Sequence, residues 1–147
     1  MRDLVPDRRL EAVLDHLLVT TGASRVTLRR DVPGDYPFPV VEEACAPGVA
    51  SLRDERSVDL PTQPVVLEIQ KGNQVVQHDA RASFDDPAFQ RMLEVYGGLA
   101  AQIVTPVVVD GAVRAIVSLH QLGAPRTWSD DEVALATATA ERVKELL

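Results

Sequence analysis

The sequence predicts an α+β domain with a mostly antiparallel sheet, and three observations support this fold class. Two long apolar segments are joined by Asp110-Gly111, a preferred two-residue hairpin turn because both of its positions need positive φ. Amphipathic helical patterns lie at both chain ends, with shorter strand and helix patterns between them. A hairpin with helices gathered at the ends is typical of a sheet covered by helical layers. The chain has no linker or repeat, so residues 1–147 are predicted to form one domain.

The N-terminal segment predicts a helix followed by a strand. Residues 7–21 carry apolar side chains at i, i+3, i+4, i+7 and i+8, which is one helical stripe. Gly22 follows directly, as helix ends prefer. Residues 25–30 alternate polar and apolar side chains, which is typical of a strand with one buried face.

The segment up to Gly72 has weaker patterns. A second strand is predicted from about Phe38 to Ala46. Residues 47–61 are rich in charge without a clear period, which predicts a surface loop, with a short helical turn as an alternative. A short helix is expected over residues 64–71, stopped by Gly72, and a short strand over residues 74–78.

A third helix is predicted to begin at Asp86-Pro87, because Asp is a favoured N-cap and Pro is tolerated in the first turn. Gly97-Gly98 ends it. The apolar stripe of this helix consists of Phe89, Met92, Leu93 and Tyr96.

The two strands of the predicted hairpin differ in their faces. Residues 100–109 are apolar on both faces, which indicates a strand covered above and below. Residues 113–121 have one apolar face and one more polar face. The apolar face holds Val113, Ala115, Val117 and Leu119, and the other holds Arg114, Ile116, Ser118 and His120.

The last helix begins with a capping box, in which Ser129 and Glu132 exchange hydrogen bonds with the first turn. Trp128 precedes the cap and is placed to pack against Val133. The apolar stripe toward Leu147 is wide, which suggests two packing partners, the sheet and a second subunit.

Composition excludes several classes of function. Apolar residues make up 46% and charged residues 25% of the chain, which is ordinary for a folded domain. The 22 acidic and 15 basic residues give a net charge of −7, which disfavours nucleic acid as a partner. Arg25, Arg29 and Arg30 cluster, but Asp31 and Asp35 follow, so a solvated strand edge is the expected explanation. No segment has the length of a membrane helix or the core of a secretion signal, and a cytoplasmic location is expected.

The order of elements and several motifs resemble a GAF domain. The most specific stretch is residues 119–133, Leu-His-Gln-Leu-Gly-Ala-Pro-Arg-Thr-Trp-Ser-Asp-Asp-Glu-Val, which is similar to the end of GAF domains in bacterial phytochrome-like sensor kinases. Residues 43–49 and 104–111 are also similar to that subgroup. The resemblance implies a central antiparallel sheet with the terminal helices on one face, where they commonly form a dimer bundle. The other face would hold a small-molecule pocket closed by helices and loops.

The resemblance places His120 first among the candidate pocket residues, because it matches a histidine beside the bilin in phytochrome-like domains. A strand histidine satisfied by a buried hydrogen bond is an equally supported interpretation. The full set of pocket candidates is His120, Ser118, Ile116, Gln102, Phe89, Met92, Tyr96 and His78. For Phe89, Met92 and Tyr96, core packing is the preferred interpretation.

The resemblance does not extend to covalent bilin attachment. Related domains carry the attaching cysteine on the helix before Gly97, where this chain has Ala88-Phe89-Gln90. The single cysteine, Cys45, lies on an early strand, and a small buried hydrophobic role is expected for it. Reductases of this fold need several cysteines, so a redox role is disfavoured.

Other ligand classes have less support in the sequence. The three histidines, His16, His78 and His120, show no metal-ligand spacing, and no metal site is predicted. A haem held by one histidine, with His78 as the nearer analogue, has no local pattern behind it. A small oxyanion bound by turn N–H groups near residues 97–99 is a further alternative.

These observations favour a stand-alone sensory domain over an enzyme. It is expected to bind an unknown small molecule, to form a homodimer through its terminal helices, and to signal through a histidine kinase or another signalling protein. The alternative is a dimerisation or docking module whose pocket is filled by its own side chains, and pocket volume distinguishes the two.

Overall fold

The computed structural model describes residues 7–147 and confirms the α+β class. The predicted order of helices and strands is also observed, with two additional 3-10 turns. The helices are α1 (Arg8–Thr21), α2 (Pro64–Gln70), α3 (Pro87–Val95) and α4 (Asp130–Leu146). The strands are β1 (Arg25–Arg30), β2 (Val40–Cys45), β3 (Val75–Gln77), β4 (Leu99–Val109) and β5 (Ala112–Leu122).

The helix ends form where the sequence predicts them. Asp7 caps α1 by accepting hydrogen bonds from two backbone N–H groups, and Gly22 ends the helix with φ 67°. Asp86 caps α3 in the same way. At α4, Ser129 and Glu132 form the predicted capping box. These caps satisfy backbone N–H groups that a helix cannot pair internally.

The five strands form one antiparallel sheet in the order β2-β1-β5-β4-β3. The hairpin of β4 and β5 turns at Asp110 and Gly111, which have φ 53° and 78°, as the sequence predicts. Strand β2 begins at Val40 rather than Phe38. Phe38 has φ 53° and stands before Pro39, so neither residue continues a regular ladder.

One expectation about β1 was wrong. Its arginines were assigned to a solvated strand edge, but β1 lies inside the sheet between β2 and β5. Arg25 is 0% exposed and Arg29 is 5% exposed, and only Arg30 is exposed. The segment 47–61 is mostly loop, and a 3-10 turn begins near its end at Leu60.

Two separate cores cover the two faces of the sheet. On one face, α1 and α4 pack against Val117, Leu119 and their neighbours, with Trp128 buried beside them. On the other face, α2, α3 and the loop before α2 pack around Phe89 and Ile116. Strand β5 therefore contributes alternate side chains to both cores, which follows from the period of two in a strand.

Candidate functional site

A cavity of about 50 Å³ lies between the sheet and the layer formed by α2, α3 and the preceding loops. We call it the sheet cavity. Its floor comes from β1, β4 and β5, and its cover comes from the 3-10 turn, α2, α3 and Phe38. The polar residues that line it are Arg29, Gln63, Tyr96, Gln102, Ser118 and His120. The remaining lining side chains are apolar.

The pairing of β1 with β5 brings the polar groups of the floor together. In this antiparallel register Arg25 lies opposite His120, Thr27 opposite Ser118, and Arg29 opposite Ile116. Because directly paired residues point to the same face of a sheet, the odd-numbered residues of β1 share a face with the even-numbered residues of β5.

The Arg25 guanidinium is buried beside the cavity floor, and each of its three nitrogens donates to a neutral acceptor. Its Nε donates to His120 Nδ1 at 3.1 Å, Nη1 to the Ala50 carbonyl at 2.9 Å, and Nη2 to the Tyr96 carbonyl at 2.7 Å. Burial lowers the pKa of Arg25, but the group stays protonated at neutral pH because its usual pKa lies far above 7. Arg25 thus ties β1 to β5, to the end of α3 and to the loop after β2.

Arg29 lines the sheet cavity itself. Its Nη1 donates to the Phe38 carbonyl at 2.9 Å, and its Nη2 donates to the Tyr96 hydroxyl at 3.0 Å. The guanidinium carbon also lies 5.8 Å from the centre of the Tyr96 ring. The bond to Phe38 holds a non-glycine residue at positive φ, a backbone state that costs about 1–3 kcal/mol.

His120 is a neutral hydrogen-bond acceptor at the floor of the cavity. Burial, and then the positive charges of Arg25 and Arg29, hold the pKa of His120 well below its usual value of 6.5. Because Nδ1 accepts from Arg25, the proton of the neutral ring resides on Nε2. The ring stacks on Tyr96 with centroids 6.1 Å apart. Nε2 makes no hydrogen bond to any of residues 7–147, so it is a free donor.

The clearest unused polar group in the cavity is the amide of Gln63. This residue is 4% exposed and lies at the start of α2. Its Oε1 is buried without a hydrogen-bond partner within the described chain. A buried polar atom without a partner costs about 1–3 kcal/mol, and native structures contain few of them. Ser118, which also lines the cavity, likewise makes no side-chain hydrogen bond within residues 7–147.

The structure brings six of the eight predicted pocket residues to the cavity. These are Ile116, Ser118, His120, Gln102, Met92 and Tyr96. Gln102 is already engaged, because its Nε2 donates to Gln77 Oε1 at 2.8 Å.

The assignment of Phe89 and His78 to the cavity was wrong. Phe89 is fully buried in the core beneath α3, where its ring meets Phe84 edge-on at 5.2 Å. His78 is exposed, and its Nδ1 accepts a hydrogen bond from the Trp128 backbone N–H at 3.0 Å. His78 therefore holds the segment before α4 against the end of β3.

Sequence reasoning missed Arg29 and Gln63 as cavity residues. Arg29 alternates with apolar residues as a solvent-facing side chain also would, so its pattern alone does not reveal burial. Gln63 lies in a stretch without periodicity, and its position depends on the packing of α2. The run Gln63-Pro64 before an apolar helix was the available signal, since Pro favours the first helical position.

Cys45 does not line the sheet cavity. It is the last residue of β2, is half-buried, and lies in a shallow groove beside Glu11 and Asp15 of α1. Burial, followed by the charge of Glu43, raises the pKa of the Cys45 thiol, which disfavours the reactive thiolate. Over residues 7–147, no three His, Cys, Asp or Glu side chains are grouped to hold a metal ion.

The family of the chain follows from comparison with known proteins. The model of the family described as GAF domain matches residues 6–145. The chain therefore belongs to the GAF family. No curated protein matches it in sequence.

Solved structures give the same fold. The GAF domain of the cyanobacteriochrome TePixJ matches with a TM-score of 0.74 and 21% identity, over 99% of this chain and 95% of that one. The chromophore-binding domain of the bacteriophytochrome RpBphP3 from R. palustris matches with a TM-score of 0.74 and 18% identity, over 95% and 56%. A domain from a protein assigned as a two-component sensor histidine kinase of Sinorhizobium meliloti 1021 matches with a TM-score of 0.73 and 13% identity, over 97% and 90%.

The residues present do not fit a bilin in this conformation. Pockets for drug-sized ligands occupy roughly 300–1,000 Å³, whereas the sheet cavity has about 50 Å³. The single cysteine lies on β2, outside the lining of the cavity. The shared fold with chromophore-binding domains thus does not bring a matching chromophore space with it.

None of the helices within residues 7–147 has the length and apolar character needed to cross a bilayer.

Proposed function

We propose that this GAF domain is a sensory module that binds a small molecule in the sheet cavity and passes the binding event to its terminal helices. One observation carries this proposal. The cavity is buried and is lined by polar groups with unused hydrogen-bonding capacity, above all the Gln63 amide. A ligand that pairs with these groups would recover the cost of leaving them unpaired.

The lining of the cavity supports binding rather than catalysis. Among the residues that the structure describes, the lining has no carboxylate, thiol or amine. His120, the one group that could act as a base, has its Nδ1 occupied by Arg25 and a pKa held well below 6.5 by burial and the two guanidiniums. Ser118 and His120 form no hydrogen bond with each other, so no nucleophile and base pair exists at the floor.

A route for the signal is built into β5. Its even-numbered residues from Ile116 to His120 face the cavity, and Val117 and Leu119 between them pack against α1 and α4. A shift of this strand on ligand binding would move the packing surface of both terminal helices. Sensing requires that the ligand favour one of two arrangements, since a ligand with equal affinity for both shifts nothing.

The output is proposed to pass through a second copy of the domain or through a signalling partner such as a histidine kinase, in a cytoplasmic setting. The relatives of similar structure include a domain of a protein assigned as a sensor histidine kinase. On the helical face, Val19 of α1 is 71% exposed and Leu147 is 37% exposed. The apolar stripe of α4 packs against the core of the chain itself, buried at Ala136, Ala140 and Val143 and half-buried at Val133, Leu135 and Leu146. The dimer surface available on α4 is therefore smaller than its sequence pattern suggests.

The small size of the cavity favours a second candidate function. About 50 Å³ holds only a few water-sized groups, because the side chains of the domain fill most of the space between the sheet and the helices. A domain that binds no ligand there would act by dimerisation or docking alone. The two candidates differ in what the purified protein contains and in what it binds.

The test combines native mass spectrometry of the freshly purified protein with a small-molecule screen by thermal shift, using the buried Trp128 as the fluorescent probe. The matched control is Gln63→Met, which keeps the length of the side chain and removes its amide. A retained or added small molecule that stabilises the native protein, and stabilises Gln63→Met less, supports the proposal. A bare mass with no stabilising compound would favour the docking module.

A further inference from the structure

Arg29 lines the sheet cavity, and Arg25 is buried beside it on the same strand, where it donates to the lining residue His120. Arg25 is 0% exposed and Arg29 is 5% exposed. Within residues 7–147, neither guanidinium forms an ion pair. The carboxylate that acts most on Arg25 is that of Glu43, but its Oε2 accepts from the Leu52 N–H at 2.7 Å and its Oε1 from the Ser51 hydroxyl. Buried charges are ordinarily paired, so this arrangement calls for an anion.

Unused donors converge on the same space. A guanidinium has five N–H donors, and Arg29 uses one on the Phe38 carbonyl and one on the Tyr96 hydroxyl. The Nε2–H of His120, the Ser118 hydroxyl and the Gln63 amide are unbonded within the described chain and line the cavity. Rotation of the Gln63 amide by half a turn presents either its NH2 or its oxygen, so it can donate to an anion.

The rest of the cavity is apolar. Its cover includes Leu60, Val66, Ile69 and Met92, and Ile116 completes the floor. A ligand that fits therefore has one charged end and one hydrocarbon end. An inorganic oxyanion would place at least one oxygen against these side chains without a donor, which is costly in a buried site.

Volume limits the ligand further. One water needs about 10–15 Å³ of such space, so about 50 Å³ admits on the order of three to five non-hydrogen atoms. We infer that the sheet cavity binds a short-chain aliphatic monocarboxylate of acetate or propionate size, with its carboxylate at Arg29, Gln63 and Ser118 and its alkyl end beneath α2 and α3. This inference rests on the proposed function and names the class of its ligand.

The experiment uses ligand-observed NMR and calorimetry on the whole chain at constant ionic strength. The probes are sodium propionate, the neutral propionamide of the same shape, sodium nitrate, and hexanoate, which exceeds the volume. Propionate is expected to bind in the micromolar to millimolar range, as a ligand of so few atoms can. Propionamide, nitrate and hexanoate are each expected to bind at least about tenfold more weakly.

The variants are chosen so that folding does not obscure the result. Gln63→Met removes no side-chain hydrogen bond made among residues 7–147, so it is expected to fold and to bind propionate about tenfold more weakly. Arg29→Met is expected to abolish binding, but it also removes contacts to Phe38 and Tyr96 and is therefore secondary. Arg30→Met changes the exposed neighbour on the same strand and is expected to leave binding unchanged.

The outcomes separate this inference from the proposed function. Propionate binding that weakens in Gln63→Met and not in Arg30→Met supports both. Equal binding of propionamide, or stronger binding of nitrate, overturns the monocarboxylate while leaving the cavity a binding site. If another small molecule binds and none of these probes does, only the ligand class is overturned. Absence of any ligand for the purified protein overturns both.

Discussion

Lowering the pH is expected to destabilise the domain through His120. The folded protein keeps this ring neutral, because burial and the charges of Arg25 and Arg29 hold its pKa well below 6.5. In the unfolded chain the ring is exposed to water and takes up a proton near pH 6.5. The unfolded state then binds more protons, so stability falls as the pH decreases below the unfolded pKa and until the folded pKa is reached.

The size of the effect follows from linkage. One proton difference corresponds to about 1.4 kcal/mol per pH unit, so a decrease from pH 7.5 to pH 5 should lower the free energy of unfolding by up to about 2 kcal/mol. Protonation would also remove the acceptor of the 3.1 Å bond from Arg25 Nε and place a third cation beside Arg25 and Arg29. Tyr96, packed on the ring, stays neutral throughout, since burial raises the pKa of its phenol.

The assay is urea unfolding at pH 7.5, 6.5, 5.5 and 5.0, followed by the fluorescence of the single tryptophan, Trp128. His120→Gln keeps an acceptor for Arg25 and removes the titration, so its stability should vary with pH by about 2 kcal/mol less than that of the native chain. His16→Gln, at an exposed helix position, is the matched control. Other groups that titrate, such as Glu42, whose pKa is raised by burial, act equally in all three proteins. The reasoning is refuted if His120→Gln and His16→Gln show the same pH dependence.

Further substitutions test the helical core, a helix cap and the hairpin turn, each by urea unfolding monitored by circular dichroism. Leu14→Ala should lower the free energy of unfolding by about 3–4 kcal/mol, because Leu14 is 0% exposed in the helical core, whereas Val19→Ala on the exposed side of α1 should change it by less than about 0.5 kcal/mol. Ser129→Ala should cost about 1 kcal/mol by breaking the capping box of α4, and Ser129→Thr should retain most of it. Gly111→Ala should cost about 1–2 kcal/mol through backbone strain alone, since φ is 78° and no atom lies within 4 Å of the added methyl group.

Local signals predicted the elements that depend on neighbouring residues. The Asp110-Gly111 turn, the Ser129 capping box and the Asp86 cap each need only a few adjacent positions, and all three are confirmed. The two faces of β5 were predicted correctly from Ala115 to His120, because a regular strand alternates its side chains. Val113 was placed on the helical face and instead packs against the other core, because the pairing with β4 shifts register between Ala115 and Val113.

The features that sequence reasoning missed depend on distant partners. Burial of Arg25 is stabilised by three hydrogen-bond acceptors, the carbonyls of Ala50 and Tyr96 and the ring of His120. These residues lie 25, 71 and 95 positions away along the chain. An arginine in an alternating strand has the same local pattern whether it faces water or such acceptors. The burial of Gln63 and its unpaired Oε1 could not be predicted from the sequence either, because a polar residue in an aperiodic loop is expected to be solvated.

The alternation along β5 also separates two kinds of inherited change. Under the proposed function, substitutions at Ile116, Ser118 and His120 would alter what the cavity binds, whereas substitutions at Val117 and Leu119 alter how the terminal helices pack. Neighbouring residues of β5 therefore affect different properties of the domain. If the proposed function holds, a substitution on β5 can change ligand preference while the adjacent residues that pack against α1 and α4 stay unchanged. Insertion of one residue in this strand would exchange both sets at once, so substitution rather than insertion is the route open to variation here.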